Sequence, residues 1–261
     1  MEKFIEISKV SRVIPVTMKK QHYHLYTEVY CLLSGEVRYF ISGKIYKASA
    51  GDVVIVPKGE LHKTIYQPEK KVERINIFFG DEAIMPELLL IFSEGRVLKN
   101  CGKEVFSLVG NIYEEYMRPA DTPYREESLF CRMNLLALTL ARLSDTAGEP
   151  AQTTGTEKTI TESVRFMENH CGEDMTLISV SAKFGLSPGY FSKQFVKVTG
   201  FNFSKYLTQL RIRKAERLMI EDPGMKITDV ALKCGYSDPV YFISVFRKIK
   251  GAAPGKWKKR F

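Results

Sequence analysis

The chain has 261 residues, of which 44% are hydrophobic and 26% are charged, and its formal net charge is +9. This composition is typical of a soluble protein long enough for two domains of ordinary size. No apolar run reaches the length of a transmembrane helix, and the start, MEKFIEISKV, lacks the apolar core of a signal peptide, so we expect a cytoplasmic protein.

The excess positive charge lies in one part of the chain. Residues 157–261 contain 19 Lys and Arg and 10 Asp and Glu, which gives 19 − 10 = +9, whereas residues 1–156 contain 20 of each kind. Such asymmetry indicates a neutral domain followed by a domain that binds a polyanion such as nucleic acid, although a solvated basic surface would give the same charge.

The cysteines predict no covalent frame. They are odd in number, widely spaced and without a CxxC pair: Cys31, Cys101, Cys131, Cys171 and Cys234. This pattern favours reduced, mostly buried thiols over a disulfide framework or a zinc ribbon.

Residues 10 to 80 predict a β domain. The run VYCLLSGEVRYFISGKIYKASAGDVVIVP alternates strand-forming stretches with SG, SG and AG turns. Strands at this spacing predict a β-sandwich or a small barrel.

The stretch HYHLYTE, residues 22–28, raises two possible functions for this domain. On a β-strand, His22, His24 and Glu28 would share one face, and two imidazoles with a carboxylate can hold a divalent transition metal. Tyr26 and Tyr30 would share that face as well, which favours a polar and aromatic pocket for a small hydroxylated ligand. The stretch alone leaves both possibilities open.

Helical patterns follow from about residue 81. One helix is predicted by the apolar spacing of Val105, Leu108, Val109, Ile112 and Tyr116. A longer helix over 125–143 has a seam at spacings of 4, 3, 4 and 3: Leu129, Met133, Leu136, Leu140 and Leu143. This seam could pack on its own domain or against a second chain, and Phe130 and Leu138 offer a further contact.

The stretch SDTAGEPAQTTGTEK, residues 144–158, predicts a flexible linker because it is rich in Thr, Gly and Pro. The change in charge falls at its end. We therefore predict a first domain over 1–143, a linker over 144–156 and a second, basic domain over 157–261.

The basic domain contains an internal repeat. The copies are LISVSAKFGLSPGYFSKQFVKVTG, from Leu177, and ITDVALKCGYSDPVYFISVFRKIKG, from Ile227. Each has a helix, a glycine turn, a serine that predicts an N-cap (Ser187 or Ser237) and an aromatic-rich second helix, which is the pattern of a helix-turn-helix. The aromatic residues and their apolar neighbours predict the buried face: Phe191, Phe195 and Val198, then Phe242, Phe246 and Ile249. The opposite faces carry Gly189, Ser192, Lys193 and Lys197, then Val240, Ser244, Arg247 and Lys248.

Residues 157–261 resemble the DNA-binding domain of AraC/XylS-type transcription regulators. The resemblance lies in GYFSKQFVKVTGFNFSKYLTQLRIRKAERLM and ITDVALKCGYSDPVYFISVFRKIKGAAPGKW. It implies seven helices that form two helix-turn-helix units, joined by a long helix over roughly residues 202–220. Ile243 and Ser244 stand where many members carry Ser-Arg, which predicts weaker base reading by the second unit.

The resemblance also implies roles for individual residues. The family's base-contact positions correspond to Gly189, Ser192 and Lys193 in the first unit and to Val240, Ile243 and Ser244 in the second. Helix geometry also selects five of these six residues, whereas Ile243 rests on the resemblance alone. We expect Lys193 to donate to guanine and Val240 or Ile243 to touch a thymine methyl group. Phosphate contacts are expected from Lys197, Arg247 and Lys248.

The N-terminal half resembles the family's cupin-like sensor domain, followed by a helical dimerisation element. The HxHxxxE stretch precedes a G-x5-P-x-G-x2-H pattern formed by Gly51, Pro57, Gly59 and His62, with Tyr66 in place of the usual last Asn. In metal cupins the residues of this pattern bind the metal. For this chain the resemblance therefore implies four ligands: His22, His24, Glu28 and His62. In sensor cupins of this family the same pattern often lines a pocket without metal, which here would be formed by His22, His24, Tyr26, Glu28, Tyr30 and His62.

The sequence therefore predicts an α+β chain with a cupin-like β-barrel, a helical dimerisation element and an all-α DNA-binding domain. We expect a dimeric, cytoplasmic transcription regulator that is not an enzyme and needs no cofactor. Its expected partners are double-stranded DNA, a small, sugar-like effector and RNA polymerase. The alternative is a metal-binding cupin that senses a divalent metal or retains enzymatic activity.

Overall fold

The computed structural model describes residues 4–13, 26–41, 43–66, 71–143 and 148–258. The chain divides into two compact units, Met1–Thr153 and Thr154–Phe261. The first contains the β-strands and two α-helices, and the second contains α-helices. The predicted α+β fold class is thereby confirmed.

Two antiparallel sheets form the first unit. The larger contains β1 (Ile5–Val13), β2 (Thr27–Ser34), β5 (Val53–Val56), β7 (Lys71–Phe79) and β8 (Arg96–Leu98), in the order β1-β7-β2-β5-β8. The smaller contains β3 (Glu36–Ile41), β4 (Lys44–Ser49) and β6 (His62–Tyr66), in the order β4-β3-β6. Their inner faces share one apolar cluster, as predicted for a sandwich or small barrel.

The central strands β2 and β5 of the larger sheet are buried on both faces. On β2, Tyr30 and Leu32 face the smaller sheet, whereas Val29 and Cys31 face the helices. The helices are α1 (Gly102–Tyr116) and α2 (Arg125–Arg142), within a residue or two of the predicted helical patterns. This double burial explains why β2 has a nearly continuous apolar sequence.

The leucine seam of α2 packs on its own unit. Leu136 and Leu140 are buried in one cluster with Val109 of α1, as are Leu129 and Met133. The interpretation of this seam as a contact with a second chain is therefore wrong. The apolar side chains that α2 leaves at the surface are Leu135 and Leu138.

Parts of the predicted linker belong to the two units. The backbone N–H of Gly148 donates to the carbonyl of Val97, and that of Ala151 donates to the carbonyl of Ile45. These hydrogen bonds, of 2.7 and 2.6 Å, attach the segment to the first unit. The first helix of the second unit already begins at Gly155.

Within residues 154–258, the second unit has the seven helices that the resemblance implied. They are α3 (Gly155–His170), α4 (Leu177–Lys183), α5 (Pro188–Thr199), α6 (Phe203–Glu221), α7 (Ile227–Lys233), α8 (Pro239–Lys250) and α9 (Pro254–Lys258). Helices α4 and α5 form the first helix-turn-helix, α7 and α8 form the second, and α6 connects them. The long helix starts at its N-cap, Asn202, whose side chain accepts from the N–H of Lys205.

Candidate DNA-binding surface and cupin interior

The turns of the two helix-turn-helix units depend on glycine. Gly185 and Gly235 have φ values of 67° and 81°, a left-handed conformation that side chains with a Cβ disfavour. At Gly235 an added Cβ would also lie 2.9 Å from the carbonyl oxygen of Gly172. Ser181 and Ala231, at matching positions of the first helices, are fully buried, and a small side chain suits such a close-packed position.

The aromatic stripes set the orientation of α5 and α8. Phe191 and Phe195 in α5, and Phe242 and Phe246 in α8, have no exposed surface. Val198 is buried with the first pair, and Ile249 is half-buried against the second. Each helix therefore turns its opposite face to solvent.

The exposed face of α5 offers two ammonium groups. Gly189, Lys193 and Lys197 are exposed and Ser192 is half-buried, so these four predicted contacts lie on one accessible surface. Lysine can donate to the acceptors of guanine or to phosphate oxygens. The absence of a side chain at Gly189 lets another backbone approach the start of the helix closely.

The exposed face of α8 has a different chemistry. Val240 is 75% exposed, and Ser244, Arg247 and Lys248 are exposed as well. Ile243 is half-buried and packs against the core of its own helix-turn-helix, so only part of it is accessible. The start of α8 thus presents a methyl surface and a hydroxyl, while its last turns present cations.

The predicted N-cap at Ser237 is wrong. The cap of α8 is Asp238, whose carboxylate accepts a 2.8 Å hydrogen bond from the N–H of Val240. The second copy has one extra residue in its turn, which places Asp238 directly before the proline at the first helical position. In the first copy Ser187 holds this place and accepts from the N–H of Tyr190.

Two exposed tyrosines were missed by the sequence analysis. Tyr190 and Tyr241 precede the first buried phenylalanine of each stripe and are 45% and 61% exposed. The hydroxyl of Tyr190 lies 3.2 Å from that of Thr156. The signal was available, because a tyrosine next to a buried helical position points toward the helix's exposed side.

The interior of the first unit contains a buried acid and a buried imidazole in contact. Glu28 on β2 and His62 on β6 are 3% and 2% exposed, and Nε2 of His62 lies 3.2 Å from Oε2 of Glu28. The other carboxylate oxygen accepts a 2.7 Å hydrogen bond from Nδ2 of Asn76 on β7. Nδ1 of His62 lies 2.9 Å from the carbonyl oxygen of Glu60.

These contacts govern the protonation of the imidazole. Burial by itself lowers the pKa of His62, but the hydrogen bond and charge of Glu28, with the nearby carbonyl and charge of Glu60, outweigh it and raise the pKa. The raised pKa means that the contact with Glu28 stabilises the protonated form of the imidazole.

An arginine forms the second polar cluster of the interior. Arg74 on β7 is 6% exposed, and its guanidinium lies 5.0 Å from the ring centre of Tyr30 and 5.7 Å from that of Tyr66. Its Nη1 donates to the hydroxyl of Tyr66. Burial raises the pKa of Tyr30 to about 12, although Arg74 opposes the shift, so this phenol is neutral.

Arg74 and Asn76 were also missed, although their pattern was visible. In KVERINIFF they lie on either side of Ile75, at alternate positions of the strand, which places both on one face. Tyr66, which departs from the cupin pattern, is the residue that Arg74 contacts. Where the cupin pattern usually has the amide of Asn, this chain has the phenol of Tyr66 in contact with the guanidinium of Arg74.

The remaining predicted cupin residues divide into two groups. His22 and His24 lie outside the described residues. Tyr26 lies before the start of β2, and its ring stacks on Phe4 at 3.7 Å, so it does not continue the strand face of Glu28 and Tyr30 as predicted.

Two of the four predicted metal ligands, Glu28 and His62, are in contact with each other. No group of three His, Cys, Asp or Glu suited to a metal occurs in the part of the chain that the structure describes.

The thiols agree with their prediction. Cys31, Cys101, Cys171 and Cys234 are buried and Cys131 is exposed, and all five are free. Among the described residues, no helix is long and apolar enough to cross a membrane.

Comparisons with known proteins match both units. A family model for a helix-turn-helix domain matches residues 180–260, and one for a cupin domain matches residues 10–78. The HTH-type transcriptional activator RhaS of Citrobacter koseri is 24% identical over 249 residues, which are 90% of this chain and 86% of that protein. The uncharacterized HTH-type transcriptional regulator YijO of Escherichia coli is 24% identical over 221 residues, 81% of this chain and 74% of that protein.

Solved structures to which the chain is similar include one protein from Vibrio cholerae and one from Geobacillus stearothermophilus. Fatty acid-bound ToxT from Vibrio cholerae is 12% identical, with 98% of this chain and 94% of that chain covered, at a TM-score of 0.39. The C-terminal domain of AraT from Geobacillus stearothermophilus is 27% identical, with 40% of this chain and 85% of that chain covered, at a TM-score of 0.38.

Proposed function

We propose that a small effector in the cupin interior controls DNA binding by this chain. The chain belongs to the AraC/XylS type of DNA-binding transcription regulators and carries a cupin domain. The observation that carries the proposal is the pair of helix-turn-helix units, each with an exposed helix face, in the domain that holds the whole net charge. We place this activity in the cytoplasm and assign no enzymatic reaction to the chain. The name of the RhaS relative supports activation, in which bound protein would contact RNA polymerase.

One subunit would read two successive major grooves. Helix α6 has 19 residues, so at about 1.5 Å per residue it spans about 28 Å, close to the ~34 Å between successive groove faces. Base contacts would come from Gly189, Ser192 and Lys193 in the first groove, and from Val240, Ile243 and Ser244 in the second. Phosphate contacts would come from Lys197, Arg247 and Lys248.

Altered operator spacing tests this arrangement. A site selected from random DNA should show two blocks about one helical turn apart per subunit. The block under α5 should be the more sharply defined, because Lys193 is a strong donor. Inserting about half a turn between the blocks should abolish specific binding while leaving nonspecific binding at low salt. Specific binding that survives the insertion would contradict reading by one compact domain.

Dimerisation would use the exposed side of α2. Leu135 and Leu138, 49% and 38% exposed, are one turn apart on a helix whose opposite side is buried. Changing both to Asp should give a folded monomer, because carboxylates in an apolar contact are costly. The same changes at the buried Leu136 and Leu140 should instead unfold the first unit. A surviving dimer of the Leu135→Asp/Leu138→Asp variant, measured by light scattering, would place the interface elsewhere.

Metal sensing is the second candidate function, favoured by the 3.2 Å contact between Glu28 and His62. With His22 and His24, these residues would supply three imidazole nitrogens and one carboxylate, a donor set that suits a divalent transition metal. Metal analysis of protein purified without an affinity tag distinguishes the two functions. Stoichiometric metal that is lost in Glu28→Gln would support the metal site, and its absence would support an organic effector.

A further inference from the structure

We infer that the effector is a hydroxylated carboxylic acid whose carboxylate binds Arg74 and whose hydroxyl binds Asn76. This inference rests on the proposed function, and it defines the chemical class of the effector. It adds two residues of β7 to the predicted ligand-binding residues, which include Glu28, Tyr30 and His62.

The guanidinium of Arg74 is buried without a negative partner. It forms no ion pair with a carboxylate within the described residues, and its Nε has no hydrogen-bond acceptor there. The rings of Tyr30 and Tyr66 stabilise the cation, but both are uncharged groups. A buried charge is costly unless it is paired and hydrogen-bonded, so the site favours the arrival of an anion.

Glu28 is already engaged by other groups. Oε1 accepts a hydrogen bond from Asn76, and Oε2 lies 3.2 Å from Nε2 of His62. These contacts hold the acid at its own end of the interior. Within the described residues, the guanidinium of Arg74 is therefore left without a carboxylate partner.

Asn76 offers the complementary group. Its Nδ2 must face Glu28, because a carboxylate only accepts hydrogen bonds, and its Oδ1 is therefore directed away from that acid. This buried Oδ1 has no donor among the described residues. A ligand hydroxyl can donate to it, whereas a second carboxylate cannot.

The spacing of the two residues limits the ligand. Arg74 and Asn76 alternate on one strand, so their Cα atoms are about 7 Å apart and their side chains point the same way. A carboxylate and a hydroxyl a few carbon atoms apart would reach both. A hexose oxidised to its acid has these groups, and the neutral parent sugar lacks the anion.

A carboxylate fits Arg74 better than a phosphate ester does. The Nη1 of Arg74 is already used by Tyr66, which leaves the Nε side of the planar fork for a planar acceptor. A carboxylate brings one negative charge to one guanidinium. A phosphate monoester brings up to two, and the second would remain buried without a partner.

Thermal unfolding of the full chain with matched ligands tests the inference. The probes are glucuronate, galacturonate and gluconate, with glucose and galactose as neutral partners and their 6-phosphates as a second anionic class, all at one ionic strength. At least one carboxylate should raise the melting temperature more than its neutral partner and its phosphate. The inference is overturned if no acid does so, or if a neutral sugar or phosphate is the strongest ligand.

Variants on one strand locate the binding group. Arg74→Met should weaken the best acid roughly 10- to 100-fold in calorimetry, because a hydrogen-bonded charge pair is lost. Arg74→Lys, which keeps the charge without the planar fork, should weaken it less and serves if Arg74→Met does not fold. Lys71→Met, which removes an exposed cation from the same strand, should have no effect. The role of Arg74 would be overturned if Arg74→Met, or Arg74→Lys where Arg74→Met does not fold, bound the acid as tightly as Lys71→Met and the parent chain do.

DNA binding by the parent chain, measured at low salt with and without each acid, separates the two levels of the proposal. A parent chain that binds DNA but no acid would overturn this inference alone. A chain that binds no DNA in either condition would overturn the proposed function itself.

Discussion

In the two helix-turn-helix units, the same helical positions carry the same aromatic residues. Phe191 and Phe195 of α5 are fully buried, and so are Phe242 and Phe246 of α8. Both second helices begin with proline after a capping side chain and end at a left-handed glycine, Gly200 or Gly251.

The exposed faces of the two helices have no such correspondence. Where α5 presents Ser192 and Lys193, α8 presents the half-buried Ile243 and the exposed Ser244. The buried residues are constrained by packing, which is the same in both copies. The exposed residues are free of this packing constraint, and we expect their difference to make the two units contact different base sequences.

The largest expected effect is a loss of stability, and it tests the aromatic residues that the two helix-turn-helix units share. Phe195→Ala and Phe246→Ala should each destabilise the second unit by about 3–5 kcal/mol, because each leaves a cavity in a fully buried site. The single tryptophan, Trp257, reports this unfolding, since its ring lies 5.8 Å from that of Phe246. Denaturant titrations followed by its fluorescence measure the change. A loss of stability in only one of the two variants would show that the aromatic cores of the two helix-turn-helix units contribute unequally to stability.

Sequence reasoning succeeded where periodicity and packing determine the structure. The repeat placed both helix-turn-helix units, and its aromatic spacing identified Phe191 and Phe242 as buried. It misplaced the second N-cap, because one inserted residue shifts the cap from Ser237 to Asp238 and no periodicity marks an insertion inside a turn. It left the direction of the α2 seam open, since Leu136 would look the same against α1 or a second chain.

The cupin site was less accessible to sequence reasoning. Glu28 and His62 were identified by their resemblance to a metal-binding pattern, and the structure brings them together. Arg74 and Asn76 were not identified, because their roles depend on β7 lying beside β2, a pairing between distant segments. Local alternation shows that two residues share a face, but it does not show which other strand they meet.

The second effect tests the difference between the exposed faces. Lys193→Ala should cost about 1–3 kcal/mol at its preferred site and relax base choice in one block, because a donor to base edges is lost. The matched change on α8, Ser244→Ala, should have the smaller effect, since a hydroxyl reads bases less strongly than a charged donor does. Selection from randomised DNA measures both. An unchanged sequence profile for Lys193→Ala would remove its assignment as a base contact.

The third effect concerns the one structural difference between the turns. Asp238→Ala should destabilise the second unit by about 1 kcal/mol, because the N–H of Val240 loses its acceptor. Ser237→Ala should change stability by less than about 0.5 kcal/mol, since this residue is exposed and is not the cap. Ser187→Ala in the first copy should resemble Asp238→Ala. If Ser237→Ala were the more damaging of the two changes in the second turn, the N-cap assignment would have to be reversed.

The smallest effect separates a phosphate contact from a structural ion pair at the end of α8. Lys248 is exposed, whereas the side chain of Lys250 is 8% exposed and its Nζ lies 2.6 Å from Oε1 of Glu216. If Lys248 neutralises one phosphate, Lys248→Ala should reduce the slope of log affinity against log salt by about 0.9, because one fewer counterion is released. This loss should be uniform across DNA sequences, since phosphate contacts carry no base information. Lys250→Ala should instead leave the salt slope unchanged and lower the stability of the second unit, because it removes one partner of a mostly buried pair. Affinity measured from low to physiological salt, beside tryptophan-monitored unfolding, distinguishes the two. A changed slope for Lys250→Ala with an unchanged slope for Lys248→Ala would exchange their roles.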